Sequence, residues 1–237
     1  MKSILITGAS SGIGRASAEK FLAAGWRVGL VARRNDILQE MARAHDGAIA
    51  LPADVTDAEA MERVFTKFTT EAGGLNALFN NAGMFGPAAS IDEVSVEDFD
   101  QVVAVNLRGM FISARLAFMH MRGQSPQGGR IINNGSISAY TPRENSVCYT
   151  TTKHAITGLT KTLSLDGRAF DIACGQIDIG NAETELVAGI KKNYPGLPTM
   201  DVDDAARAVL HMAELPPEAN VQFMTIMATK MPYIGRG

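Results

Sequence analysis

Short apolar runs rich in β-branched residues alternate with longer amphipathic segments from one end of the chain to the other. The apolar runs predict strands, because turn residues bound them and because they are too short for buried helices. Seven strands are expected, at residues 4–7, 28–32, 48–51, 77–80, 130–133, 172–177 and 221–226.

The amphipathic segments predict six helices, at residues 13–24, 36–44, 58–71, 96–121, 149–169 and 202–213. Strands that are apolar on both faces, each followed by a helix, are typical of a parallel sheet covered on both sides by right-handed crossovers. The pattern therefore predicts an α/β fold, with a doubly wound, seven-stranded parallel sheet in a three-layer α/β/α arrangement. Such sheets bind ligands at the carboxyl ends of their strands.

The domain organisation is simple, because no segment has the composition of a linker and 237 residues suit one domain. Residues 1–237 are therefore expected to form a single domain. The longest break in the alternation covers residues 181–199, which contain Gly189, Pro195, Gly196 and Pro198. We expect an irregular loop there that serves as a substrate lid, since long loops in compact domains are often functional.

Composition and charge exclude several classes of protein. A hydrophobic share of 46% and a net charge of −3 argue against disorder and against a nucleic-acid or anionic-membrane surface. Cys148 and Cys174 are too few for a disulfide framework and indicate a reducing compartment. Neither a membrane-spanning run nor a secretion signal is expected, and the scattered histidines predict no metal site. We expect a soluble, cytoplasmic protein.

The first strand leads into a helix through a glycine cluster, in which Gly8, Gly12 and Gly14 form a G-x-x-x-G-x-G pattern. Glycine lets backbone N–H groups approach a phosphate, and the helix N-terminus adds a positive dipole end. The spacing matches neither G-x-G-x-x-G nor the G-x-x-x-x-G-K-[ST] nucleotide loop, so a tight turn without a ligand stays open. Its place between the first strand and the first helix favours dinucleotide binding.

Two arginines follow the second strand. Arg33 and Arg34 stand where enzymes selective for NAD usually carry an acidic residue, about 20 residues past the glycines. A guanidinium suits a ribose 2′-phosphate, since it can form bidentate, charge-assisted hydrogen bonds. We therefore predict NADP(H), with Arg33 as the main phosphate partner and Arg34 as the second. The alternative, a solvated charge, applies more to Arg34, and NAD(H) also stays possible.

Tyr149 has a lysine four positions later, Lys153, which places both side chains on one helix face. The phenol of a free tyrosine has a pKa of about 10, and a nearby cation favours the phenolate, which suits general acid/base chemistry. Taken alone, the pair is more typical of a core tyrosine beside a surface lysine. Three other features support a site: Ser136 ends the fifth strand, Asn80 to Gly83 form a turn after the fourth strand, and Asn106 interrupts an apolar run.

With these motifs in order, the chain resembles the short-chain dehydrogenase/reductase family, of the single-domain type. The resemblance rests on residues 7–14, Asp54-Val55, residues 80–83, Asn106, and Ser136 with Tyr149 and Lys153. It implies a Rossmann-type fold and a catalytic tetrad of Asn106, Ser136, Tyr149 and Lys153. Tyr149 would exchange the substrate proton, and Ser136 would hydrogen-bond the substrate oxygen. Lys153 would hold the nicotinamide ribose and lower the Tyr149 pKa, while Asn106 would support a water relay.

The same resemblance implies which residues bind the cofactor. They are Gly8, Ser10, Ser11, Gly12, Ile13 and Gly14 in the first loop, Asp54 and Val55 beside the adenine, Asn81, Ala82 and Gly83 along the cofactor backbone, and Gly180, Ala182 and Thr184 over the nicotinamide and phosphates, together with Tyr149 and Lys153. One departure from the family pattern is Ile179, where such enzymes usually have proline. Neighbouring Asp178 is expected to brace a loop rather than to touch the substrate.

The predicted function is an NADP(H)-dependent oxidoreductase that interconverts a ketone or aldehyde and an alcohol. A non-catalytic NADP(H)-binding regulator, an NAD(H)-preferring dehydrogenase and a related epimerase or dehydratase are the alternatives. The expected substrate wall, at residues 84–88, 137–145 and 181–199, is mixed and includes Arg143, Glu144 and Glu185, so it indicates no ligand type. The resemblance implies a homodimer or homotetramer, and we expect residues 231–237 to pack across a subunit interface.

Overall fold

The computed structural model describes residues 1–191 and 196–234, and these form a seven-stranded, wholly parallel sheet with the strand order β3-β2-β1-β4-β5-β6-β7. The predicted seven-stranded parallel sheet is confirmed. The strands are β1 (Ser3–Thr7), β2 (Arg27–Ala32), β3 (Ala48–Pro52), β4 (Ala77–Asn80), β5 (Gly129–Asn134), β6 (Ile172–Gly180) and β7 (Phe223–Met227).

Helices flank both faces of the sheet. They are α1 (Gly12–Ala23), α2 (Asn35–Ala44), α3 (Ala58–Ala72), α4 (Val96–Val103), α5 (Met110–Gly123), α6 (Val147–Gly167), α7 (Glu185–Lys191) and α8 (Val202–Glu214). The long helix expected at 96–121 is interrupted by a π-helical segment, Ala104–Gly109, between α4 and α5. By length and composition alone Val96–Gly123 could cross a membrane, but half of its most apolar window is buried inside the fold, as is usual for a core helix.

Alternation along the strands builds one apolar layer on each side of the sheet. In β1, Ile4 and Ile6 pack with Phe21 of α1 on one face, whereas Leu5 packs with Phe65 of α3 on the other. All of these side chains are fully buried. Successive strand residues point to opposite faces, so a strand that is covered on both sides must be apolar throughout. This is why the strands could be found as continuous apolar runs.

The order of the strands reverses between β1 and β4, which are neighbours in the sheet but are separated in the chain by β2 and β3. Crossovers from these two strands leave in opposite directions, so a crevice opens beyond their carboxyl ends. The loops that begin at Gly8 and at Asn81 meet there. The topology therefore places the glycine cluster and the turn after β4 in one site.

The expected irregular loop at residues 181–199 was wrong in part, because helix α7 occupies Glu185–Lys191. Thr184 caps this helix, since its Oγ1 accepts a hydrogen bond from the Val187 N–H at 3.3 Å. Glu183, two residues before the helix, accepts from Lys191 Nζ at the other end of α7 at 2.7 Å and from Thr199 Oγ1 at 2.6 Å. Within the expected lid, residues 192–195 lie outside the described part of the chain, as do residues 235–237 of the C-terminal segment.

Candidate active site

Thr7, the last residue of β1, joins the two loops at the crevice. Its Oγ1 accepts hydrogen bonds from the backbone N–H groups of Asn81 at 2.8 Å and Ala82 at 3.0 Å. Its carbonyl oxygen accepts from Asn81 Nδ2 at 2.9 Å. The glycine cluster and the turn after β4 are therefore held in a fixed relation by both the hydroxyl and the backbone of one residue.

The glycine cluster cannot carry side chains at two of its positions. Gly8 has a φ of +69°, in the left-handed region that favours glycine. A Cβ at Gly14 would lie 2.6 Å from Asn81 Nδ2 and closer still to the Gly8 carbonyl oxygen. The absence of both Cβ atoms lets the start of α1 pack directly on the loop. Ser11, the N-cap of α1, makes no side-chain capping bond. The first N–H groups of the helix are thus available to an anion, which fits the pyrophosphate of a dinucleotide.

A cleft of about 720 Å³ runs along the carboxyl edge of the sheet. We call one end the arginine end, formed by Ser10, Arg33 and Arg34, and the other the tyrosine end, formed by Ser136, Tyr149 and Lys153. Of the sequence-predicted residues the cleft brings together Gly8, Ser10, Ser11, Gly12, Ile13, Arg33, Arg34, Asp54, Val55, Asn81, Ala82, Gly83, Ser136, Tyr149, Lys153, Gly180, Ala182 and Thr184. Gly14 and Asn106 are not in its lining.

At the arginine end, Arg34 contacts the glycine cluster, because its Nε donates a hydrogen bond to Ser10 Oγ at 3.1 Å. Both Arg33 and Arg34 are exposed. Burial raises the pKa of Asp54, but hydrogen bonds from Thr56 and the charge of Arg33 outweigh this effect and hold the pKa below its ordinary value. Asp54 is therefore a carboxylate at neutral pH, fixed beside a cationic surface.

At the tyrosine end, Lys153 is 4% exposed, and its Nζ donates to the Asn134 carbonyl oxygen at 2.7 Å. The Asn134 side chain in turn donates to Asn81 Oδ1 at 2.8 Å. Burial lowers the pKa of Lys153 to about 8, against a smaller opposing effect of the Asp178 carboxylate. The lysine is thus held by the end of β5, and that strand end is tied to the turn after β4.

Asn106 lies in the π-helical segment and is 1% exposed. Its Oδ1 accepts from the Met84 N–H at 2.8 Å, and its Nδ2 donates to the Met84 carbonyl at 2.8 Å and to Thr152 Oγ1 at 3.2 Å. The amide therefore joins the loop after β4 to α6, one residue before Lys153. π-helical turns are frequent at functional sites. The implied water relay from Asn106 stays a prediction.

Tyr149 packs edge-on against Phe85, with the ring centroids 4.7 Å apart. Burial raises the pKa of Tyr149, while the adjacent Ser136 hydroxyl and the Arg143 guanidinium lower it. The net direction is upward because desolvation of the phenolate outweighs both effects. The lowering of this pKa by Lys153 that the resemblance implies stays a prediction; the Lys153 Nζ lies 5.4 Å from the Tyr149 ring centroid and donates to Asn134.

Ser136 is held from behind by Asp178. The Ser136 N–H donates to Asp178 Oδ1 at 2.8 Å, and the same oxygen accepts from Gln176 Nε2 at 2.8 Å. Burial raises the pKa of Asp178, and the hydrogen bonds from Gln176 and Ser136 oppose that rise. Asp178 is absent from the cleft lining, so it braces the turn, as the sequence suggested.

Three residues of this network carried no assigned role in the sequence analysis: Thr7, Asn134 and Thr152. Thr7 and Asn134 could have been found, because polar residues at the ends of apolar strands stood beside motifs already identified. Thr152 had no signal except its place next to Lys153. Arg143 was noted only as one of several charges on the substrate wall.

Comparison with known proteins agrees with this geometry. The family model for short chain dehydrogenase matches residues 2–195. The chain is 35% identical over 189 residues to 2-(R)-hydroxypropyl-CoM dehydrogenase of Xanthobacter autotrophicus, covering 77% of this chain and 75% of that protein.

Two solved structures are similar over 95% of this chain and 96% of their own chains, each at 27% identity. They are the Brucella melitensis 3-ketoacyl-(acyl-carrier-protein) reductase complexed with NADH, with a TM-score of 0.89, and a Burkholderia cenocepacia short chain dehydrogenase in complex with NADP, with a TM-score of 0.84. Sequence, fold and site geometry together establish that the chain belongs to the short-chain dehydrogenase family of oxidoreductases.

Proposed function

We propose that the protein is an NADP(H)-dependent oxidoreductase that interconverts a ketone or aldehyde and an alcohol, with Tyr149 as general acid/base. The observation that carries the proposal is the arrangement of one cleft. Its tyrosine end brings Ser136, Tyr149 and Lys153 together, and the glycine cluster and two arginines follow toward its other end. When bound, the nicotinamide cofactor supplies or accepts the hydride.

The protein's own part in this reaction is to place the substrate oxygen and to move one proton. Ser136 Oγ accepts from the Ser138 N–H at 3.1 Å, so its hydroxyl proton can be donated to the neighbouring Tyr149 oxygen or to a substrate oxygen. In the reductive direction Tyr149 donates its phenolic proton to the oxygen of the carbonyl, whose carbon receives the hydride. The raised pKa of Tyr149 keeps that proton in place at neutral pH. In the oxidative direction the phenolate takes the hydroxyl proton back.

Lys153 and Asn106 support that proton transfer. The Lys153 ammonium lies on the same helix as Tyr149, is anchored to Asn134, and its pKa of about 8 leaves it mainly protonated at pH 7. Its remaining donors suit ribose hydroxyls. Asn106 fixes the position of α6 against the loop after β4, so the tyrosine and the lysine keep their places when a substrate binds.

The preference for NADP(H) is part of the proposal and rests on the arginine end. Neither Arg33 nor Arg34 belongs to an ion pair in the described part of the chain, and Arg34 is oriented toward the glycine cluster by its bond to Ser10. Exposed guanidinium groups beside a dinucleotide loop favour a 2′-phosphate. An NAD(H)-preferring dehydrogenase is the alternative.

Oligomerisation belongs to the same proposal. The α5 residues Phe111 and Met119 are each 51% exposed, and Leu165 of α6 is 61% exposed. Apolar groups of this size on the long helices favour contact with a second copy of the chain. Sedimentation analysis should give the mass of a dimer or tetramer. A monomer at micromolar concentration would contradict the proposed oligomerisation.

Turnover of a carbonyl panel tests the proposed activity. Purified protein is incubated with NADPH and ketones, aldehydes and oxo acids, and the absorbance of the reduced cofactor is followed. We expect cofactor oxidation that depends on the carbonyl. Tight NADPH binding without turnover across the panel would instead favour a non-catalytic regulator with the same fold.

A further inference from the structure

Arg143 lies at the tyrosine end of the cleft and has no anionic partner among the described residues. It lines the cleft together with Ser136 and Tyr149. Its Nε is buried and makes no hydrogen bond to any described residue. None of the ion pairs within residues 1–191 and 196–234 includes Arg143. A buried donor on a cation costs free energy when it has no acceptor, and a bound anionic ligand would supply that acceptor.

The guanidinium is held close to the proposed proton donor. Its Cζ lies 5.8 Å from the centroid of the Phe85 ring and 6.0 Å from that of the Tyr149 ring. The Arg143 backbone is fixed as well, because its carbonyl accepts from Ser146 Oγ at 2.7 Å, and Ser146 Oγ is 2.9 Å from Thr150 Oγ1 in the first turns of α6. The loop that carries Arg143 is therefore tied to the start of the helix that carries Tyr149.

The other charged groups in and behind the cleft have different neighbours from Arg143. Lys153 donates to the Asn134 carbonyl, and Asp178 accepts from the Ser136 N–H behind the cleft wall. Of the acidic lining residues, Asp54 lies near Arg33, and Glu185 of α7 lies near Arg15, whose ion-pair partner is Glu19. Within the described residues, the tyrosine end therefore has one guanidinium, from Arg143, and no lining carboxylate.

We propose that Arg143 binds an anionic group of the substrate, and that the enzyme acts on short oxo acids and hydroxy acids. This inference rests on the proposed function, because the position of the reacting carbonyl group is taken from its proposed proton donor, Tyr149. A guanidinium holds a carboxylate through parallel, charge-assisted hydrogen bonds. The short separation between Arg143 and the Tyr149 ring places the carboxylate within a few bonds of the carbonyl carbon. Met84 and Phe85 line the same end and suit the apolar carbons between them.

Matched substrate pairs test the inference. Pyruvate and 3-oxobutanoate are compared with their methyl esters, which keep the carbonyl and remove the charge, in assays with NADPH. We expect kcat/KM to be about 10- to 100-fold higher for the acids, the range typical of a hydrogen-bonded charge. Arg143→Gln should bring the acid-to-ester ratio close to one, and Arg143→Lys should restore part of it because the charge returns. A ratio near one in the unmodified protein, or an equal loss for acid and ester in Arg143→Gln, would overturn the inference.

Arg122→Gln is the matched control. Arg122 also has its guanidinium over an aromatic ring, with Cζ 4.1 Å from the Phe170 centroid, but it is exposed and lies outside the cleft. Its variant should keep the acid-to-ester ratio of the unmodified protein. A change as large as that in Arg143→Gln would assign the effect to general charge and not to this site.

Binding of malonate separates this inference from the proposed function, since it needs no turnover. Calorimetry at constant ionic strength should show malonate binding that weakens about tenfold in Arg143→Gln and not in Arg122→Gln. If malonate binding depends on Arg143 while no carbonyl is reduced, the anion site stands and the proposed activity fails. If esters are reduced but malonate binding ignores Arg143, the activity stands and the anion site fails.

Discussion

The arginine end and the tyrosine end of the cleft recognise ligands through different groups. The arginine end offers backbone N–H groups and two exposed guanidinium groups, Arg33 and Arg34. At the tyrosine end, Ser136 and Lys153 are almost completely enclosed, each 4% exposed, and Tyr149 is partly buried. Exposed charges are screened and keep their hydration, whereas buried polar groups depend on every hydrogen bond they make.

Because of this difference, substitutions at the two ends of the cleft should differ in their effect on binding and turnover. At the arginine end one lost contact is replaced by water, so affinity should fall modestly. At the tyrosine end the same loss leaves a buried partner unsatisfied or removes a proton from the reaction, so effects should be large. The glycine cluster is an intermediate case. A side chain added there meets other protein atoms and cannot move aside into solvent.

The largest effect is expected from Tyr149→Phe, which removes the proton donor and keeps the ring against Phe85. Turnover should fall by about 10³-fold or more, in the range of general acid–base catalysis. NADPH affinity, measured by fluorescence titration, should stay within about twofold, since the ring still fills its place. A near-normal turnover rate would show that Tyr149 is not the proton donor. It would also contradict the expectation that substitutions at the tyrosine end have larger effects than those at the arginine end.

Gly14→Ala comes next. The added methyl group would meet the Gly8 carbonyl oxygen and Asn81 Nδ2, and neither can move without displacing the loop. We expect NADPH affinity to fall by about 100-fold, because overpacking of about 3 kcal/mol acts directly on the binding loop. Gly158→Ala is the control: no atom of the described residues lies within 4 Å of its added Cβ, so cofactor affinity should not change. An unchanged affinity in Gly14→Ala would contradict the proposed cradle.

The pH dependence of stability tests the burial of Lys153. Its pKa is about 8 in the folded protein and 10.5 ordinarily, so between these values the unfolded chain holds a proton that the folded chain lacks. Stability from this group is therefore present above 10.5 and is lost as the pH falls toward 8. Relative to Lys153→Met, raising the pH from 8 to about 10 should stabilise the protein by about 2 kcal/mol. If the free energy of unfolding of the unmodified protein and of Lys153→Met changed equally with pH, a lowered pKa of Lys153 would be contradicted.

The smallest effects are expected at the arginine end. Arg33→Ala and Arg34→Ala should each weaken NADPH binding by about tenfold, the low end for a charged hydrogen bond, with little effect on NADH. Arg43→Ala, on the exposed face of α2 with its Nε bonded to the Gln39 carbonyl, is the matched control and should change neither affinity. Equal losses for NADPH and NADH in the Arg33 and Arg34 variants would overturn the cofactor preference.

Much of the fold was legible in the sequence, because both faces of the sheet are covered. A strand such as β1 must then be apolar at every position, and it appears as a short uninterrupted run. Helix α7 was not predicted, because a segment of seven residues that contains Gly189 is too short to show a helical period and resembles a loop. The π-helical segment was also missed, since its pattern is continuous with the helices on either side.

For the site, sequence alone determined the residue types and their places at strand ends: the glycines, the two arginines, Ser136, and the Tyr149–Lys153 pair. These are local features, because each depends on a spacing within one strand, turn or helix. The packing of segments far apart in the chain joins Met84 to Thr152 through Asn106 and anchors Lys153 to Asn134. The same packing buries the Arg143 Nε at the tyrosine end, where it has no hydrogen-bond partner among the described residues. Burial and pairing depend on segments far apart in the chain, and no local pattern records them.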